Sequence, residues 1–173
     1  IVYNIRSLPD NLPTINVEKP HDAGYYCPIS KMRWSLTASD DFGIDDIFIS
    51  YKVIALGEGG EQKVQKKGVI PLVKVGGKLS ISIGGLIDLS DLKLSPSVIL
   101  SLQFEAKDIS PFREQGQTGK SKIINLNIVS PTELKELINS ELLMVGKMVE
   151  DIQSDMKRQI NVINLYKKQE KQK

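Results

Sequence analysis

The chain has 173 residues, 40% of them hydrophobic and 25% charged, a folded composition rather than a disordered one. Its 23 Lys and Arg nearly balance 21 Asp and Glu, and a formal net charge of +2 gives no basis for nucleic-acid binding through bulk charge. One Cys and one His exclude an internal disulfide and a Cys/His metal cage, and they leave most nucleophile–base hydrolytic designs without their base. The expectation is therefore a non-enzymatic protein with no cofactor.

The chain opens on Ile1-Val2-Tyr3 without a Met, as a processed product or a part of something larger would. Residues 1–8, followed by the Pro-containing stretch Pro9-Asp10-Asn11-Leu12-Pro13, read either as the end of a preceding domain with a stiff linker or as an extra edge strand. No stretch approaches the roughly 20 apolar residues that span a bilayer.

From residue 9 to residue 129 the hydrophobic pattern has period two. Met32, Trp34, Leu36 and Ala38 alternate with Arg33, Ser35 and Thr37. Ile47, Ile49, Tyr51 and Val53 alternate with Phe48, Ser50 and Lys52; Leu100, Leu102, Phe104 and Ala106 alternate with Ser101, Gln103 and Glu105. Each such run predicts a strand buried on one face. Seven strands are expected, at about 14–18, 31–38, 46–55, 62–73, 78–84, 98–107 and 120–129. Ser39–Gly43, Gly57–Gly60 and Gly76-Gly77 are expected to separate them as turns. Asp88–Pro96 is a longer crossing whose Leu89, Leu92 and Leu94 close one end of the core, and Asp108–Gly119 is a polar loop. Short antiparallel strands with no helix between them predict a mainly β fold, a Greek-key β-sandwich. The antibody fingerprint is absent: there is no second Cys, and Trp34 lies on the second strand as a core anchor. Cys27 reads as a free thiol, and His21 as a solvated side chain.

After residue 129 the period changes. Ser130-Pro131-Thr132-Glu133 supplies an N-cap, a Pro at the first helical position and a Glu three residues after the cap. Ile138, Leu142, Val145, Val149, Ile152, Met156, Gln159, Ile163 and Tyr166 then recur at heptad spacing, with Gln159 the one polar interruption. A long amphipathic helix over 130–173 with a Lys-rich end is expected. Packing on its own domain is one use for it. A coiled-coil stalk is the other and fits a narrow seam better, so Ile138, Leu142, Val145, Val149, Ile152, Met156 and Ile163 are the candidate interface to a protein partner or to a second copy.

Other chemistry is weaker. Gly116–Ser121 brings a phosphate-binding loop to mind, but Glu114 stands where its first Gly is needed, and a strand pattern follows instead of a helix. Asp40, Asp41, Asp45 and Asp46 follow one strand and Asp108 another; Asp40, Asp41 and Asp108 are the candidate Ca²⁺ ligands, although turn Asp residues have local hydrogen-bonding reasons of their own.

Leu36–Ile44, reading L-T-A-S-D-D-F-G-I, resembles the A-x-D-[DN]-x-G-I signature of bacterial immunoglobulin-like domains. Phe104–Pro111 resembles their late-strand v-x-A-x-D-x-x-P turn. With Ile87–Pro96 and Ile128–Leu137, the order is similar to that of large membrane-anchored bacterial envelope proteins in which a coiled-coil region follows immunoglobulin-like domains. The resemblance implies an immunoglobulin-like sandwich over 9–129, an extracytoplasmic location in the periplasm or cell envelope, and a parent chain anchored elsewhere; it carries over no functional residue. The expected role is a spacer or docking module with an associating helix. The alternatives are a glycan- or Ca²⁺-binding module, or an accessory domain of a larger enzyme.

Overall fold

The computed structural model describes residues 9–57, 59, 61–109 and 116–170, with side chains described as far as residue 160. The chain divides into two compact units, residues 1–130 and 131–173. The first is β and the second is one helix.

Among the described residues the β unit holds seven strands: β1 (Thr14–Lys19), β2 (Tyr25–Tyr26), β3 (Lys31–Leu56), β4 (Gln62–Asp88), β5 (Val98–Asp108), β6 (Thr118–Lys120) and β7 (Ile124–Ile128). β3 and β4 form one long antiparallel hairpin, paired from Leu56↔Gln62 at the tip to Lys31↔Asp88 at the base. The first part of β3 also pairs with β1, from Thr14↔Ser39 to Lys19↔Ser35. Its later part pairs with β5, from Ile44↔Asp108 to Ala55↔Val98. β5 continues the sheet to β7 and β6, and β7 pairs with β2 in parallel. The result is a single curled, mixed sheet.

The count of seven matches the expectation, but the strands are not the expected seven. The runs at 31–38 and 46–55 are one strand, and so are those at 62–73 and 78–84. Ser39–Gly43 and Gly76-Gly77 bend the ladder instead of ending it. The register passes from Ser39↔Ser80 to Ile44↔Lys78, setting residues 40–43 of β3 against Leu79 alone, and then to Asp46↔Lys74, setting residues 75–77 of β4 against Asp45 alone. Bulges on both strands at one level bend the pair together. A straight strand of 26 residues would reach about 85 Å at 3.3 Å per residue, far too long for a small domain. The bend lets both halves cover one core.

Two features make the bend possible. The Asp40 carboxylate accepts hydrogen bonds from the backbone N–H groups of Phe42 (2.9 Å) and Gly43 (2.8 Å). Gly43 sits at φ +112°, and a Cβ there would stand 2.5 Å from the Gly77 carbonyl oxygen. The two strands therefore touch backbone to backbone where they turn.

The other differences are local. The expected strand at 120–129 is two, β6 and β7, and the parallel two-residue β2 has no periodic signal that could have announced it. A short 3-10 turn, Leu89–Leu92, separates β4 from β5. Asp88 caps it, accepting from the Ser90 hydroxyl (2.6 Å) and N–H (3.0 Å), which hold its carboxyl below the usual carboxylate range. Leu89, Leu92 and Leu94 are buried, as the crossing predicts. Gly57 donates its N–H to Glu61 at the hairpin tip (2.8 Å), while positions 58 and 60, residues 1–8 and positions 110–115 of the polar loop lie outside the described residues.

The core follows the period-two pattern closely. Met32, Trp34, Leu36 and Ala38 are buried in the first part of β3, Ile47, Ile49, Tyr51 and Val53 in the second, and Leu100, Leu102, Phe104 and Ala106 on β5. Trp34 and Phe104 meet across the core with ring centroids 6.4 Å apart, so the early part of β3 faces β5 through packed side chains. The helix, α1 (Pro131–Glu170), has 40 residues and is about 60 Å long at 1.5 Å per residue.

Candidate functional site

α1 begins at Pro131, directly after Ser130, with Glu133 in its first turn. Pro at this place loses no hydrogen bond, because the first N–H groups of a helix have no partner within it. Past that turn the heptad residues line up. Ile138, Leu142, Val145, Val149, Ile152 and Met156 are each between 47% and 64% exposed. Ile163 belongs to the same series but lies outside the described side chains.

An exposed Leu or Val standing alone needs no explanation, but a row of six at heptad spacing does. Counting 3.6 residues per turn, Met148 and Ile160 flank the row on its two sides. Both are exposed and broaden it, although neither falls on a strict heptad position. Their signal was available: they occupy the positions immediately before and after a seam residue's turn, which a strict seam count does not sample. The one glycine, Gly146, has open space where a Cβ would be, so no close packing explains it.

The Asp residues occupy a corner of the β unit. The bend and the Asp108 end of β5 are neighbours there: the Ile109 N–H donates to the Gly43 carbonyl (2.8 Å). Asp108 is buried, and its carboxylate accepts the Gln117 N–H. The Gln117 side-chain amide donates to the Asp10 carbonyl (3.1 Å), and the Asn11 amide donates to the Asp41 carboxylate (2.9 Å). The corner is therefore tied to the segment just before β1. Asp10, Asn11 and Gln117 were not foreseen, since contacts across 30 or 107 residues leave no mark in local pattern.

This arrangement spends carboxylate oxygens on backbone and amide donors. Among the described residues, no three of Asp, Glu, His and Cys gather as a group able to hold a metal ion. Oδ1 of Asp40 is buried and has no hydrogen-bond partner among the described residues. Cys27 is buried, and His21 is exposed.

On the β unit an open groove of about 430 Å³ lies over Ser50, Lys52, Lys67, Val69, Gln103 and Ile123. Its lining holds no carboxylate, imidazole or thiol. Lys52 and Lys67 stand directly opposite each other in the β3–β4 ladder. Among the described residues no helix is long and apolar enough to cross a membrane.

No protein-family model matches the chain, and no curated protein does. Among solved structures, the sporulation control protein Spo0M from Bacillus subtilis is similar over 69% of this chain and 50% of that one, at 9% identity and a TM-score of 0.38. The chain thus spans half the length of that structure, and a likeness this slight bears on neither fold nor function.

Proposed function

We propose that the chain is a non-enzymatic structural and protein-interaction module of bacterial envelope type, working outside the cytoplasm. Its β unit is an immunoglobulin-like sandwich that serves as spacer or docking surface. Its helix associates with a second copy or a partner helix. The observation that carries this reading is the row of exposed apolar residues from Ile138 to Met156. Burying each large aliphatic side chain contributes roughly 1.5–3 kcal/mol before the cost of ordering it. A sandwich is supported by two ladders sharing one bent hairpin around one core, and by the Trp34–Phe104 contact across that core. The location rests on the resemblance of the 36–44 and 104–111 segments.

Removing residues 131–173 tests the helix's part. The account expects an oligomer to become a monomer in solution, and an unchanged mass overturns self-association. The buried Oδ1 of Asp40 favours a second reading, in which the corner holds Ca²⁺. A melting temperature unchanged by Ca²⁺ or by chelator removes that one.

A further inference from the structure

We propose that α1 pairs with α1 of a second copy in antiparallel orientation, centred between Val149 and Ile152. This rests on the self-association reading above and specifies its geometry.

Charge along the helix is unevenly divided. Residues 131–155 hold six acids against two lysines, a net −4, whereas residues 156–170 hold four cations against one acid, a net +3. Helices packed 8–10 Å apart lie within about one Debye length at physiological salt, so these fields interact. A parallel pair in register sets negative half on negative half and positive on positive. An antiparallel pair sets each half on its opposite.

The seam itself agrees. Its positions pair symmetrically about the centre: Val149 with Ile152 of the second copy, Val145 with Met156, Leu142 with Gln159, and Ile138 with position 163. Each layer then combines the two alternating classes of seam position, as antiparallel heptads do. Continuing the seam back three residues from Ile138 reaches Lys135, which is exposed. In parallel register two Lys135 ammonium groups would meet across the interface. In the antiparallel one, Lys135 meets position 166 of the second copy. What parallel pairing would gain is one neutral layer, Gln159 on Gln159, against the mismatch of both charged halves.

Cysteine cross-linking of the whole chain decides the matter, with the buried Cys27 left in place. In the antiparallel pair, residue 142 of one copy lies about 26 Å from residue 142 of the other, seventeen residues along the axis at 1.5 Å each. A disulfide needs Cα atoms within about 7 Å. Leu142→Cys alone and Gln159→Cys alone are therefore expected to give no covalent dimer, and an equimolar mixture of the two to give one. Raising salt is expected to weaken the association several-fold, because it screens an attraction. A dimer in which Leu142→Cys links to itself, in which the mixture fails to link, or which tightens with salt overturns the antiparallel arrangement and leaves self-association standing. A monomer by sedimentation overturns the self-association reading itself.

Discussion

The two units use hydrophobic periodicity in opposite ways. In the β unit the alternating residues are buried within the unit that carries them: Leu100, Leu102 and Phe104 on β5 have no exposed surface. In the helix, residues that recur just as regularly remain about half exposed. A pattern strong enough to specify an element does not say what covers its apolar face. In the β unit the answer is the curled sheet itself, held in register by its bends. In the helix, on the reading proposed above, the answer is a second helix.

The sharpest way to break this contrast is to remove bulk from each unit in turn. Leu102→Ala, at a fully buried position, is expected to cost the β unit about 2–5 kcal/mol, read from denaturant unfolding of the whole chain. Ile152→Ala is expected to move that same transition by less than about 0.5 kcal/mol and to weaken association instead. Equal effects on the β transition would erase the distinction between the units.

The bend comes next. Gly43→Ala forces a side chain into φ +112° and against the Gly77 carbonyl, so a loss of about 1–3 kcal/mol is expected from the strained conformation alone. Thermal unfolding unchanged by this substitution would mean that the paired bulges do not fix the fold. The last substitution lies in the helix. Gly146→Ala meets open space and adds helix propensity, so it is expected to stabilise α1 by about 1 kcal/mol, visible as higher helical content by circular dichroism.

The places where sequence and structure part have physical reasons. The strand pattern of 98–107 becomes β5 at 98–108 because alternation over ten residues leaves only one face to bury. Asp40–Gly43 reads as a chain-reversing turn because an Asp cap and a flexible Gly serve a bulge equally well. What distinguishes the two is a second bulge at residues 75–77 on the strand alongside, some thirty residues away in sequence. The parallel pairing of Tyr25 and Tyr26 with Asn127 and Ile128 is likewise invisible to any local window. On the helix, the heptad row was legible at every described position from Ile138 to Met156. At the acidic corner, the Asp residues were legible as a set, but their ties to Asn11 and Gln117 were not.

Sedimentation equilibrium of the whole chain, set beside the double variant Val149→Glu, Ile152→Glu, tests the central claim most directly. The account predicts an oligomer that becomes a monomer when two charges enter the middle of the seam, with the unfolding transition of the β unit unmoved. A chain that is monomeric from the outset, or one whose mass is the same with and without the two charges, would contradict it.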